Sequence, residues 1–147
     1  MSIPAGAHGH DVYRRYLSAV VLYALAGARA VGLGATDLQA LNILELNGAM
    51  TPGELSTRTG LTTGPTTRLI DRLEAAGYVR RGSDPGDRRK VIVEPIDRPA
   101  DLDETLVSVR KAVGEIIGGY TPEQREVLFD YFARAAEAFQ VAAEQVD

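Results

Sequence analysis

The chain has 147 residues, 45% apolar and 24% charged, which fits one globular domain or a domain with an extension and is too polar for an integral membrane protein. With no cysteine, it excludes disulfide scaffolds, thiolate zinc sites, cysteine nucleophiles and thiol redox sensing. A net charge of −4 argues against a nucleic-acid partner, a conclusion that reverses once the charge is located along the chain.

Residues 1–9 combine Pro, Gly and Ala without periodicity and read as a loose arm. From about Asp11 to Val31, Val12, Tyr13, Tyr16, Leu17, Val20, Val21, Ala24, Leu25 and Ala28 recur at three- and four-residue steps. That is a helix whose apolar stripe is wide enough to need partners on more than one side. Arg14 and Arg15 ahead of the apolar run, with Ala24-Leu25-Ala26 near its end, imitate a secretory signal. The run is too short to span a bilayer, Arg29 follows it, and the periodicity continues to Val31. The chain therefore reads as cytoplasmic. Gly32 and Gly34 stop the helix.

The next segment is densely punctuated. Thr36-Asp37-Leu38-Gln39 has the form of a capping box, opening a helix that turns Leu38, Leu41, Leu44 and Ile43 inward and ends at Gly48. Thr51-Pro52-Gly53-Glu54 is a second box, with Pro at the first helical position, where no amide partner is needed. That short helix ends near Gly60. Thr62 can cap a third helix with Pro65 in its first turn; Thr66, Leu69, Ile70 and Leu73 form its inner face, and Gly77 terminates it. Only Gly60 and Leu61 separate the second helix from the third, the spacing of a helix-turn-helix. Tyr78 to Arg81 then reads as a strand and Ser83-Asp84-Pro85-Gly86-Asp87 as a turn, with Gly86 free to take positive φ. Val91, Ile92 and Val93 return before Pro95. A helix-turn-helix followed by a β-hairpin is a winged helix.

The basic excess lies in this middle third. Residues 51–93 carry eight cations against five carboxylates, whereas residues 94–147 carry five against twelve. Six of those eight cations fall between Arg72 and Lys90, a focused positive surface on an acidic molecule. Beyond the hairpin, a helix starting at Asp101 or a neighbour runs through Leu102, Leu106, Val109, Val113 and Ile116 to Gly118-Gly119. Thr121-Pro122-Glu123-Gln124 then caps a last helix whose face is Leu128, Tyr131, Phe132, Ala135, Phe139, Ala142 and Val146. The expected fold class is mainly α with a small β-hairpin wing. It divides into an arm and first helix (1–34), a winged helix-turn-helix (35–95) and C-terminal helices (96–147). Long apolar helices at both ends favour a homodimer built from them.

With Thr66, Leu69, Ile70 and Leu73 facing inward, the third helix of the segment projects Thr63, Gly64, Thr67, Arg68 and Asp71 or Arg72, and Thr62 and Arg72 are counted with the DNA-facing residues. Its free amides and positive dipole end suit a phosphate. Arg68 can grip guanine O6 and N7, and a Thr methyl can contact thymine. Past the turn, Arg88 and Arg89 can enter a minor groove, where narrow A·T tracts concentrate negative potential. Asp87 can pair with Arg89 to hold the loop. Arg81 and Lys90 complete the expected DNA-facing set.

These residues resemble the MarR family of winged-helix transcriptional regulators. The resemblance rests on Leu55 to Thr59, Gly60-Leu61-Thr62, Thr67-Arg68-Leu69-Ile70-Asp71-Arg72-Leu73-Glu74, Gly77-Tyr78-Val79-Arg80-Arg81 and Asp84-Pro85-Gly86-Asp87-Arg88-Arg89. It implies a homodimer held by helices from both termini, a recognition helix in the major groove, a wing arginine in the minor groove and often a small-molecule inducer. By position, Thr63, Thr67 and Arg68 would face the major groove and Arg88 and Arg89 would serve the wing. The family usually continues with Leu-Thr and a Gly; here Glu94-Pro95-Ile96-Asp97-Arg98-Pro99 alters the link into the fifth helix.

Other candidates carry less. His8, His10 and Asp11 offer metal-binding atoms without a second cluster, so neither metal nor cofactor is expected. Tyr13, Arg14, Tyr16 and Tyr23 could line an effector pocket. With no glycine-rich phosphate loop, no H-E-x-x-H pair and no Ser-centred nucleophile elbow, no enzymatic activity is expected. The expectation is a regulator, more specifically a repressor, of double-stranded DNA at a pseudo-palindromic operator. The alternative is a winged helix used for protein–protein contact, whose basic hairpin docks on an acidic partner.

Overall fold

In the computed structural model, residues 7–96 and 100–146 are described, with side chains described at 8–96 and 107–146. Six helices and one hairpin follow in the order α1 (Ala7–Ala30), α2 (Ala35–Asn47), α3 (Pro52–Thr59), α4 (Thr63–Ala75), β1 (Val79–Asp84), β2 (Asp87–Pro95), α5 (Ala100–Gly118) and α6 (Pro122–Val146). The chain forms two compact units, Met1–Thr105 and Leu106–Asp147. No single helix among the described residues is long and apolar enough to cross a membrane.

The first unit is built around the winged helix. Leu41, Leu44, Leu55, Leu69, Ile70, Leu73, Val79 and Val93 are fully buried, and Leu38, Met50 and Tyr78 nearly so. Ile43, expected inward, is only half-buried. Thr66 is buried as expected, and its hydroxyl donates to the Thr62 carbonyl at 2.8 Å, so burying it leaves no orphan donor. The hairpin is antiparallel, with Val79 opposite Pro95 and Arg80 opposite Glu94. Met50, in the loop between α2 and α3, exchanges both backbone hydrogen bonds with Val93, at 3.2 and 2.7 Å. That bridge pins the base of the wing to the helical core.

Local chemistry explains most boundaries. The Thr51 hydroxyl accepts from the Glu54 amide at 3.2 Å while the Glu54 carboxylate accepts from the Thr51 amide at 3.1 Å, the expected reciprocal box. Thr121 and Gln124 repeat it at α6, at 3.2 and 2.9 Å. Gly60 ends α3 with φ 74°, a left-handed residue that turns the chain into α4 within two residues. Ser56 and Thr59 brace this turn by donating to the carbonyls of Leu61 and Leu55. At Gly77, φ is 82°; the amides of Tyr78 and Gly77 return to the carbonyls of Leu73 and Glu74, swinging the chain into β1 with Tyr78 buried.

Four expectations need correction. α1 is described from Ala7, so His8 and Gly9 of the expected arm belong to a helix, with His10 beside them, and the rest of that arm, residues 1–6, lies outside the described residues. Two residues apart on a helix, His8 and His10 point in diverging directions. Thr36 does not cap α2: the helix starts two residues earlier, with Gly34 at the cap position. Gly34 has no side chain to contribute, so only half a box forms, the Gly34 amide donating to the Asp37 carboxylate at 3.0 Å. Thr62 occupies the cap position of α4 without a side-chain bond. Finally, Gly86 lies outside the positive-φ set. The turn is closed instead by the Asp84 carboxylate, which accepts from the Gly86 amide at 2.8 Å, and the strands run right up to it.

A direct test separates the true caps from the apparent one. Thr51→Ala should lower unfolding stability by about 1 kcal/mol in urea titrations, whereas Thr36→Ala should stay within roughly 0.5 kcal/mol of the parent. Equal losses would contradict the capping geometry.

In the second unit, the C-terminal part of α5 and α6 keep large apolar side chains exposed. Ile116, Val127, Phe129 and Phe139 all stand more than half open. Phe132 sits edge-to-face between its helix neighbours Phe129 and Tyr131, each with its ring centroid 6.0 Å away. Leu102 and Leu106, expected on the inner face of α5, fall outside the described side chains, as do Asp97, Arg98 and Pro99 of the preceding link.

Candidate nucleic-acid interface

α4 has two chemically distinct faces. Thr66, Leu69, Ile70 and Leu73 are buried, which leaves Thr62, Thr63, Gly64, Thr67, Arg68, Asp71 and Arg72 exposed. The periodicity of the helix is what aims them. The Thr67 hydroxyl donates to the Thr63 carbonyl at 3.0 Å, so outward it presents lone pairs and a methyl group. Arg68 folds back over the first turn, with Nη1 3.6 Å from where a Cβ on Gly64 would stand. Its guanidinium has no carboxylate partner among the described residues.

The wing carries the second group. Arg88, Arg89 and Lys90 open β2 immediately after the turn and are all exposed. Asp87 does hold the loop, by a different bond from the one expected: its carboxylate accepts from the Arg89 backbone amide at 3.0 Å and leaves the guanidinium free.

Three other cations of the winged helix are already neutralised. Arg72 reaches back to Asp37, Nη2 to Oδ1 at 2.7 Å with Nε at 3.3 Å from both oxygens. That hydrogen bond holds its pKa above the ordinary arginine value. Arg81 donates from its backbone amide and Nη1 to Glu74, each at 2.9 Å, and from Nη2 to Asp71 at 2.6 Å. Desolvation, the largest single influence on Arg81, works against its charge, yet the bonds to Asp71 and Glu74 outweigh it and raise its pKa. Arg80 pairs with Glu94, directly across the hairpin, at 2.8 Å.

Apart from Arg58, which donates to the Asn47 side-chain oxygen at 3.4 Å, the cations of the winged helix thus sort by role. Arg68, Arg88, Arg89 and Lys90 project without carboxylate partners from the exposed face of α4 and from the wing. Arg72 and Arg81, expected from sequence in the same set, spend their guanidinium groups on bracing α4 against α2 and the wing against α4. Sequence reasoning missed both braces because their partners are carboxylates chosen by the fold. Arg72 and Asp37 stand 35 residues apart.

The expected effector residues all lie on α1, with Tyr13 and Tyr23 half-buried and Arg14 and Tyr16 exposed. The surface depression at Arg14 is lined by α1 alone, through Asp11, Arg15, Ser18, Ala19 and Leu22, and includes none of the tyrosines. Among the described residues, no group of three or more His, Asp or Glu is placed to hold a metal ion.

Comparison with known proteins points the same way as this geometry. A model of the MarR family matches residues 31–90, from the end of α1 into β2. The uncharacterized HTH-type transcriptional regulator YcgE of Bacillus subtilis is 37% identical over 137 residues, covering 92% of this chain and 89% of the relative. The HTH-type transcriptional repressor NicR of Pseudomonas putida is 29% identical over 101 residues, covering 67% of this chain and 64% of the relative. A solved MarR-like transcriptional regulator from Thermotoga maritima has the same fold, with a TM-score of 0.63 at 21% identity over 88% of this chain and 94% of that one.

Proposed function

Because the chain belongs to the MarR family of helix-turn-helix transcriptional regulators, a family of DNA-binding winged helices and not of enzymes, we propose that it acts as a homodimeric repressor. Its site is a pseudo-palindromic operator. Two copies of α4 enter successive major grooves, and two wings reach the flanking minor grooves. Thr62, Thr63, Gly64, Thr67 and Arg68 make the major-groove surface, with Arg68 on guanine and the Thr67 methyl on thymine. Arg88, Arg89 and Lys90, shaped by Asp87, serve the wing.

The observation that carries this reading is the sorting of cations. Positive charge is left unspent on the exposed face of α4 and on β2 just past the wing turn, whereas Arg72, Arg80 and Arg81 are cancelled by carboxylates; Arg58, on α3, meets only the Asn47 amide oxygen. A net charge of −4 does not oppose it, since association responds to the local field and not to the sum. Dimerisation is supported by the bare apolar faces of the terminal helices, including Val12, Tyr16, Val20 and Leu22 on α1 and Phe129 and Phe139 on α6. Repression is supported by the likeness to NicR, a repressor by name. Release by a small-molecule effector, with Tyr13, Arg14, Tyr16 and Tyr23 as its contacts, completes the proposal.

Selection from random duplex DNA at moderate salt tests it. The expected product is an inverted repeat with half-site centres about one helical turn apart and an affinity that falls steeply with salt. A pool that stays flat would sink the reading in favour of a protein-docking winged helix.

A further inference from the structure

Among the described residues, Asp37 is the one charged residue buried in the winged-helix core: it is 3% exposed and bonded on two sides. On one side it accepts from the Gly34 amide at 3.0 Å. On the other it receives the forked guanidinium of Arg72 from α4, the closest approach being 2.7 Å. Gly34 lies in the corner where α1 turns into α2, and the two helix axes meet there at 98°. The preceding residue, Leu33, is itself tied to α1 through its amide on the Ala28 carbonyl at 2.8 Å. One carboxylate therefore joins the exit of α1, the start of α2 and the exposed-face helix α4. We propose that Asp37 and Arg72 are a positioning pair that fixes the corner between α1 and the winged helix, and through it the distance between the two recognition helices on DNA. This inference rests on the dimeric reading given above.

Magnitudes favour a role in spacing over one in stability alone. A pair with its guanidinium half-exposed is a weak way to stabilise a fold, since the Arg72 head stays hydrated and desolvation of Asp37 offsets much of the attraction. What it supplies is direction: a forked guanidinium and a carboxylate with two acceptors meet in few geometries. The corner needs such a constraint. Glycine is the most permissive backbone unit, and nothing but the Asp37 side chain lies within 4 Å of where a Cβ at Gly34 would stand. α1 has 24 residues, a rod of about 36 Å at the helical rise. A swing of about 5° at the corner moves its far end by about 3 Å, close to the ~3.4 Å rise of one base pair. Arg72 stands one turn beyond Arg68 on α4, so the clamp grips the helix next to its base-reading part without occupying it.

Asparagine at position 37 separates charge from shape. Its single carbonyl oxygen can serve Gly34 or Arg72, and its amide group then faces the other donor. The test compares binding to the selected inverted repeat with binding to versions whose spacer is one base pair longer or shorter. The parent protein should prefer its own spacing by tenfold or more. Asp37→Asn should reduce that ratio at least threefold while the base preference within each half-site is unchanged. Arg72→Gln, made at a half-exposed side chain and so tolerant of replacement, should do the same. A merely structural pair would weaken all spacings alike, and a preserved spacing ratio in either folded variant overturns the inference. Should the parent enrich no inverted repeat, the dimeric operator reading fails first and takes this one with it.

Discussion

Replacing Arg88 and Arg89 together by alanine should lower operator affinity tenfold or more while shifting the thermal midpoint by no more than about 2 °C. The asymmetry follows from where the charges are. Both side chains are exposed on the first residues of β2, and neither has a carboxylate partner among the described residues. Removing them costs the fold nothing it uses. On DNA the same groups would sit in the field of the backbone, and the substitution strips four of them from a dimer at once. Salt dependence supplies a second readout: the slope of log affinity against log salt should become shallower by about 0.9 for each phosphate that is no longer neutralised. Arg80→Ala is the internal control. It removes a cation from the same hairpin, but one already held by Glu94 at 2.8 Å, so affinity should change less than about threefold, the effect of a spent surface pair. If the double variant binds its operator normally, the wing does not touch DNA.

How far the sequence reveals this arrangement depends on the range of the forces involved. The two capping boxes at Thr51 and Thr121 were legible because each is a contact across three residues, written in adjacent letters. The same holds for the inner face of α4, where a 3.6-residue period names Thr66, Leu69, Ile70 and Leu73 without any tertiary information. Gly34 hid the start of α2 because its half of the box consists of a backbone amide alone, while Thr36 offered a decoy two residues on. The Ser83–Asp87 pattern marks the place of the wing turn but not the group that closes it. Asp84, two residues ahead of Gly86, was the available signal for a side-chain-closed turn. What no local pattern could reveal are contacts between elements: the Met50–Val93 bridge, the Asp37–Arg72 clamp and the grip of Asp71 and Glu74 on Arg81. These decide which arginines of the basic segment remain free. The basic composition of the segment is readable, the pairing of its arginines only in part.

The neighbours Arg68 and Leu69 turn that division into an experiment, because adjacent residues on one helix should fail in opposite ways. Leu69 is fully buried against the winged-helix core, and Leu69→Ala removes three carbons from a site with no solvent to fill it. The expected loss is about 3 kcal/mol, within a range of roughly 2 to 5 set by how far the core relaxes. Against a typical total of about 5 to 15 kcal/mol this is a large fraction, enough to move the urea midpoint well below that of the parent. DNA binding should fall with the folded fraction, and base preference should persist in whatever remains folded. Arg68→Ala should leave the urea transition in place, since its side chain is exposed and unpaired. Discrimination for guanine at one position of each half-site should relax by about 1–3 kcal/mol, roughly 5-fold to 160-fold. The two readouts are independent, so each variant checks one face of α4. A stable Leu69→Ala would mean that α4 does not pack as described. An Arg68→Ala with its guanine preference intact would mean that another side chain reads that base.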